Sequence, residues 1–181
     1  HSTLEELYLA ASLMRGLGSE NIDHRLRHQD FSPSEGVRWL GMPIAALSDL
    51  QSVLVVGSNL RKDHPLFAQR IRQSARAGCA VTAITSEALL ANEGAWAMPL
   101  RATVVAEPDE WAQALADVAA AVAAEKGVAT PFEGQSTDNA KALAKALLAG
   151  ERKAILLGNA AAHHAGGSTL LALCQWIGEQ T

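Results

Sequence analysis

Cysteine is scarce in this chain. Its two cysteines, Cys79 and Cys174, lie far apart and form no CxxC pair. Such closely spaced pairs are typical of cysteine-ligated zinc ions and iron–sulfur clusters, so we predict no metal site within these residues. Each thiol is better interpreted as a small buried apolar side chain.

Basic charge and long apolar runs are also missing. Fifteen Lys and Arg residues stand against 19 Asp and Glu residues, for a net charge of −4. A surface that binds nucleic acid or an anionic membrane carries an excess of basic charge. The longest apolar candidate, Trp111 to Ala124, contains Asp117 and is shorter than the roughly 18 residues of a spanning helix. We therefore expect no nucleic-acid partner and no direct membrane insertion.

The composition that is present is that of a globular domain. Hydrophobic residues make up 49% and charged residues 19% of the 181 residues. This length allows one domain with a sizeable core. The chain begins at His1 and ends within a helical pattern. We expect one α/β domain over residues 1–181, excised from a longer chain.

Short apolar runs alternate with helical patterns along the chain. The runs predict four β-strands, at Ser52 to Gly57, Cys79 to Thr85, Ala102 to Glu107 and Ala154 to Gly158. An amphipathic helix is predicted near the start, and the later helices at Leu66 to Ala77, Ser86 to Asn92, Pro108 to Glu125, Thr137 to Ala149 and Ser168 to Glu179. Because the strands are continuously apolar, we predict a Rossmann-like, mostly parallel sheet with helices on both faces.

Two short loops are the candidate ligand site. Gly57, Ser58 and Asn59 follow the first strand, and Gly158 and Asn159 follow the last one. Ligands of open α/β sheets bind at the carboxyl ends of strands, where glycine lets a phosphate approach the backbone. The spacing matches neither GxGxxG nor GxxxxGK[ST], so a plain strand-to-helix turn is the alternative.

Catalytic chemistry has little support in the sequence. Asp23 beside His24, and Asp63 beside His64, have the composition of an acid–base pair, but no GxSxG nucleophile accompanies them. Adjacent His163 and His164 would point in different directions on a regular element, so we interpret them as part of a solvent-facing loop. We predict no catalytic residue.

The basic and tryptophan residues leave alternatives open. Arg61 and Lys62 follow the first candidate loop and have the charge to hold a phosphate, although surface basic residues are usually solvated. Core packing is the expected role of each tryptophan, and Trp39 has a partner surface as its alternative.

Four segments carry a family resemblance. They are GSENIDHR at Gly18 to Arg25, WLGMPI at Trp39 to Ile44, VLVVGSNLRKDHP at Val53 to Pro65, and ILLGNAAAH at Ile155 to His163. Together they resemble the molybdopterin-oxidoreductase superfamily. Within it, they are similar to the respiratory branch, the G subunits of bacterial NADH:quinone oxidoreductase (respiratory complex I).

The resemblance implies a formate dehydrogenase/DMSO reductase-like domain from the C-terminal part of such a subunit. In the molybdenum enzymes the loop matching Gly57 to Asn59 lies against the guanine dinucleotide of the cofactor. The respiratory branch holds no molybdopterin there, and its iron–sulfur clusters are bound upstream. By this resemblance the chain is a scaffold and docking domain without cofactor or catalytic centre. Its expected partners are other peripheral-arm subunits at the cytoplasmic side of the cell membrane.

Two other interpretations stay open. In a genuine molybdenum enzyme, such as a formate dehydrogenase-like protein, Gly57, Ser58, Asn59, Gly158 and Asn159 would line the dinucleotide. Leu60, Arg61 and Lys62 stand where many molybdenum enzymes carry proline and small residues, so we expect any binding at this loop to be vestigial or weak. The last interpretation is a free-standing nucleotide-binding protein.

Overall fold

A four-stranded parallel sheet forms the centre of the fold. The computed structural model describes residues 3–22, 30, 39–91 and 96–181. The strands are β1 Ser52–Val56, β2 Ala80–Thr85, β3 Ala102–Val105 and β4 Lys153–Leu157. They lie in the order β3-β2-β1-β4, and all three pairings are parallel. The predicted α/β class and parallel sheet are confirmed, with strand ends that differ from the prediction by a residue or two.

The sequence places the most apolar strand in the middle of the sheet. All five residues of β1 are buried, whereas every residue of β4 at the sheet edge is half-buried. Thr82 of β2 is also fully buried, and its hydroxyl donates a hydrogen bond of 3.1 Å to the carbonyl of Val53. Because this hydroxyl is satisfied by a neighbouring strand, its burial carries little cost.

Helices fill the segments between the strands. They are α1 Leu4–Gly16, α2 Leu60–Asp63, α3 Pro65–Arg76, α4 Glu87–Leu90, α5 Trp111–Lys126, α6 Asp138–Leu148, α7 Asn159–Ala162 and α8 Gly167–Gln180. Single 3₁₀ segments cover Ile44–Asp49 and Pro108–Glu110. Local signals explain several ends: Pro65 opens α3, the Thr137 hydroxyl accepts from the Ala140 N–H, and Gly127 ends α5 in a left-handed conformation.

The N-terminus of the last helix has a polar partner from a distant part of the chain. The helix predicted at Ser168 to Glu179 is present as α8, which begins one residue earlier, at Gly167, and has no side-chain cap. Ser168 instead donates its backbone N–H and its hydroxyl to the carboxylate of Asp30, far away in the sequence. The N-terminus of α8 therefore takes its polar partner from a distant segment, which local capping preferences do not predict.

The two faces of the sheet are covered by separate apolar clusters. Leu54 and Val56 of β1 point to the cluster formed with α5, α6 and α8. Val53 and Val55 point to the opposite cluster, which includes α3 and the 3₁₀ segment Ile44–Asp49. This alternation is the two-residue period of a strand, so β1 contributes to both halves of the core.

Gln51 joins β1 to the beginning of β4. Its side-chain oxygen Oε1 accepts hydrogen bonds of 2.7 Å from the Glu151 N–H and 3.1 Å from the Arg152 N–H, across 100 residues of sequence. Because these bonds come from residues just before β4, they help to set the register of β4 on β1.

The first helix, α1, lies apart from the core. The helix predicted near the start is present and begins with a capping box of Thr3 and Glu6, yet none of its residues is buried. Its large apolar residues are exposed, and these are Leu4, Leu7, Tyr8, Leu9 and Leu13. Within the described ranges, no helix is long and apolar enough to cross a membrane. The predicted Asp23–His24 pair and residue Asn92 lie outside the described residues.

Candidate functional site

The two predicted loops meet at the carboxyl edge of neighbouring strands. Gly57, Ser58 and Asn59 follow β1, and Gly158 and Asn159 follow β4. The Gly158 N–H donates to the Val56 carbonyl at 2.8 Å, and the Ala160 N–H donates to the Gly57 carbonyl at 3.1 Å. The structure thus brings the five candidate residues together, as the parallel sheet predicts.

The space beside both glycines is filled by the protein itself. Gly57 has a φ of +56°, and a Cβ there would lie 2.5 Å from Cζ3 of Trp111 and 2.8 Å from Cβ of Ala161. A Cβ on Gly158 would lie 2.2 Å from Cβ of Ser58. These glycines therefore permit close packing between the loops and α5, rather than access for a ligand.

Asp63 provides the negative charge at the first loop. Its Oδ2 accepts a hydrogen bond of 2.9 Å from the Ser58 hydroxyl and one of 3.1 Å from the Asn59 N–H. Ser58 is 1% exposed, so this carboxylate is the partner of a buried hydroxyl. The Asn59 side chain in turn accepts from the Lys62 N–H at 3.3 Å and caps α2. The loop donors thus bind an anion belonging to the chain.

Asp63 and His64 have separate surroundings. Asp63 faces back to the loop that precedes α2, while the His64 ring stacks on Phe67 with centroids 5.3 Å apart. The sequence offers the adjacent pair as an acid–base candidate, but the helical turn at Asp63 and the start of α3 at Pro65 separate their roles. The contact of Asp63 with the loop was not predicted, and the signal that would have indicated it is an Asp four residues after Asn59, about one helical turn away.

The expected loop at His163 and His164 is present between the ends of two helices, but it is less exposed and shorter than predicted. Residues Asn159–Ala162 form a short helix, and both histidines are half-buried. Nδ1 of His164 accepts from the Gly166 N–H at 3.0 Å, and its ring tilts against Trp111 at 6.3 Å. Ala161 packs beside Gly57, which holds the short helix against the first loop. The contacts of the His164 ring with Gly166 and Trp111 stabilise the turn that leads into α8.

Core packing describes most but not all of the tryptophans. Trp111 and Trp96 are buried, and Trp176 is half-buried with its ring edge-on to Phe132. Trp39 is 74% exposed, so the expectation of core packing was wrong there. Arg61 and Lys62 are exposed on α2, where their phosphate-binding role stays a prediction.

A groove of about 840 Å³ runs along β4. One wall carries Leu40, Met42 and Phe67, and the other carries Leu171 and Cys174 of α8. The end near the loops is polar, with Ser58 and His64, and the far end carries Glu151, Lys153 and Glu179. Trp39 also lines it, and the sequence pattern missed this groove because its walls come from distant segments.

Comparison with known families decides the relationship. A family model described as Molybdopterin oxidoreductase matches residues 1–177. The chain belongs to this family. No curated protein matched it in a sequence search. The parallel sheet is consistent with the formate dehydrogenase/DMSO reductase-like fold expected of a molybdopterin oxidoreductase domain.

The cofactor implied by the molybdopterin oxidoreductase family does not fit the Gly57 loop. A dinucleotide phosphate needs free amide or hydroxyl donors and room beside glycine. Here the Ser58 hydroxyl and Asn59 N–H already bind Asp63, and Trp111 and Ala161 fill the space beside Gly57. A phosphate at these donors would meet the Asp63 carboxylate, a like charge.

Metal ligation has no support in the part of the chain that the structure describes. No group of three or more His, Cys, Asp and Glu side chains there is arranged to hold a metal ion. Both cysteines are free thiols, Cys79 half-buried and Cys174 buried. The expectation of small buried side chains is confirmed for Cys174, whereas Cys79 keeps part of its surface accessible.

The two thiols should react at very different rates with a disulfide reagent. Burial raises the pKa of Cys174 to about 12. Burial also raises the pKa of Cys79, and a hydrogen bond with Ser74 partly offsets this. Thiolate is the reactive form, so at pH 8 a thiol of pKa 12 is only about 10⁻⁴ ionised. We expect the faster phase to disappear in Cys79→Ser and to remain in Cys174→Ser, measured by thionitrobenzoate release. A fast phase carried by Cys174 would contradict the structure.

Proposed function

We propose that this chain is a scaffold and docking domain of a redox assembly, as in the G subunit of proton-pumping NADH:quinone oxidoreductase. In this proposal it has no catalytic centre and holds no dinucleotide. The main support is the contact of Asp63 with Ser58 and Asn59. The Ser58 hydroxyl and the Asn59 N–H donate to the Asp63 carboxylate, so these two donors are not available to a bound phosphate.

The wider assignment rests on the resemblance of the four quoted segments. It proposes a parent subunit that carries iron–sulfur clusters outside these residues and takes part in electron transport from NADH to quinone. It also proposes other subunits of the complex I peripheral arm as partners, at the cytoplasmic side of the cell membrane. The family match supports the relationship to oxidoreductases at the coarser level.

A nucleotide titration tests this proposal. We expect no saturable binding of GDP by the 181-residue chain up to about 1 mM. A titration to this concentration detects even a weak site whose binding free energy is only about −4 kcal/mol. Trp111 packs beside Gly57, so its fluorescence reports on that loop. Saturable binding in the micromolar range, with a fluorescence change lost in Trp111→Phe, would overturn the scaffold proposal.

Asp63→Ala tests the structural role of the carboxylate directly. The substitution leaves the buried Ser58 hydroxyl without its acceptor, so we expect the free energy of unfolding to fall by about 1–3 kcal/mol. Asp138→Ala is the matched control, since it makes the same charge change at an exposed position in the first turn of α6. Urea denaturation of both variants measures the difference. Equal stabilities would show that Asp63 is not an internal partner of the loop.

The second candidate is a molybdopterin guanine dinucleotide-binding domain of a molybdenum oxidoreductase. Two observations favour it: the family model spans residues 1–177, and the two glycine loops meet at the carboxyl edge of the sheet. In this case the Asp63 contact would have to open when the ligand binds. Micromolar GDP binding by the unchanged chain is the result that selects this candidate.

A further inference from the structure

Among the described residues, β4 pairs with a strand on one side only. It stands at the end of the strand order and pairs only with β1 among the described strands. The Gly158 N–H and the Arg152 carbonyl bond to β1. Backbone groups alternate along a strand, so those of Lys153, Ile155 and Leu157 point away from β1. The outer edge of β4 therefore presents regularly spaced donors and acceptors.

This edge forms part of the groove described above. All five residues of β4 line it and all are half-buried. The wall with Leu171 and Cys174 belongs to α8, on one face of the sheet, and the wall with Met42 and Phe67 lies on the other face. A polypeptide placed against β4 would thus be covered on both faces, as a central strand of a parallel sheet is.

The opposite edge of the sheet has different properties. β3 is a four-residue strand, and its last residue, Val105, is 48% exposed. The groove lies along the longer of the two edge strands, so the described geometry favours an added strand at β4.

Charge limits the kind of segment that fits. Glu151 and Glu179 line the far end of the groove and are exposed. Lys153, the single charged residue of β4, donates its Nζ to the Thr181 carbonyl. A charged edge residue usually discourages strand addition, but this amine is directed to α8 and its terminus. The far end of the groove thus complements a basic side chain.

We propose that the groove binds an extended segment of a neighbouring polypeptide, which adds to the sheet as a strand beside β4. The segment has an apolar centre, covered by α8 and by the wall of Met42 and Phe67. It carries a Lys or Arg beside Glu151 and Glu179. This mode of recognition is β-augmentation, in which main-chain hydrogen bonds supply affinity and the side-chain pockets supply specificity. The inference rests on the proposed scaffold function and names the surface that holds a neighbour.

A synthetic peptide serves as the probe. It has a central run of about five apolar residues, the usual strand length, with lysines at both ends. Trp39 lines the groove and is 74% exposed, so its fluorescence should shift to shorter wavelength when the probe binds. We expect saturable binding by the 181-residue chain, and loss of the signal in Trp39→Phe.

Two N-methylated versions of the probe distinguish strand pairing from apolar adhesion. One is methylated at alternate amides, and the other at the remaining amides. In strand pairing only one set faces β4, so one version should bind about as well as the probe and the other at least about tenfold more weakly. Equal binding of both versions would overturn the proposal, as would no binding of the unmodified probe.

Substitutions at Ile155 test the same edge from the side of the protein. Ile155→Pro removes the outward N–H, and an edge strand tolerates proline at such a position. Ile155→Ala loses the same side-chain contacts but keeps the N–H, so it is the matched control. We expect the probe to bind Ile155→Pro at least about tenfold more weakly than it binds Ile155→Ala. At low salt it should bind Glu151→Gln about two- to fivefold more weakly than the unchanged chain, because a charge that attracts its lysine is lost. Equal affinity of the two Ile155 variants contradicts strand addition.

Sedimentation separates the occupants. A dimer of the unchanged chain that persists in Ile155→Ala and dissociates in Ile155→Pro would show that a second copy fills the groove, which contradicts a neighbouring segment as its occupant. The nucleotide titration is independent of these experiments. GDP binding would overturn the scaffold function, whereas failure of the probe alone would overturn only the groove assignment.

Discussion

Gly57→Ala should lower the free energy of unfolding by about 2–5 kcal/mol. Part of the loss comes from the backbone, because a φ of +56° costs a residue with a Cβ about 1–2 kcal/mol. The rest comes from packing, because the new Cβ would lie 2.5 Å from Cζ3 of Trp111. Overpacking of a rigid core costs typically about 1–3 kcal/mol.

Gly127→Ala is the control that separates these two contributions. Gly127 has a similar φ of +67°, yet a Cβ there meets no atom within 4 Å. We therefore expect only the backbone part of the loss, about 1–2 kcal/mol. Urea denaturation of both variants gives the difference. Equal losses in the two variants would show that Trp111 does not restrict the loop at Gly57.

Trp111→Ala should cost about 3–5 kcal/mol of stability. Trp111 is 1% exposed and lies within the cluster that joins α5, α6 and α8 to the sheet. Its removal leaves a cavity and also breaks the hydrogen bond of 3.1 Å from its Nε1 to the Ala106 carbonyl. Trp39→Ala is the control, and because Trp39 is exposed we expect a change within about 0.5 kcal/mol.

The double variant measures the contact between Gly57 and Trp111. With the indole gone, the Cβ of Gly57→Ala loses its closest contact but still lies 2.8 Å from Cβ of Ala161, so its cost should fall while staying above the backbone part of about 1–2 kcal/mol. The two substitutions should therefore be less harmful together than the sum of the single changes. Strict additivity of the two free energies of unfolding would argue against the direct contact between these residues.

The sheet was predictable because its signals are local. The run at Val53 to Val56 is continuously apolar and ends in Gly57, and the run before Gly158 is similar, so strands, loops and their common edge follow from sequence alone. The helix ends near Pro65, Thr137 and Gly127 were also predictable, because each of these residues acts through its own backbone or through the first turn of its helix.

The packing of the site was not predictable because its contacts join distant segments. Trp111 against Gly57 and Asp30 against Ser168 each depend on how helices dock after the sheet forms. No periodicity encodes these pairs. A glycine-rich loop after a strand does not show which anion its donors bind, because an internal carboxylate and an external phosphate satisfy the same donors. In the structure the anion is the Asp63 carboxylate.

The position of β4 has a consequence for synthesis of the chain on a ribosome. β1 is the central strand, but its partner on one side arrives only after the segment that includes Glu151, which Gln51 contacts across 100 residues. At translation rates of 5–20 residues per second, β1 waits roughly 5–20 s for this partner. During that interval an apolar strand is open on one side and prone to pair with other chains. The interval depends on how fast the ribosome translates the segment between Val56 and Lys153, so faster translation there would shorten it. The translation rate after Leu157 has no effect on it.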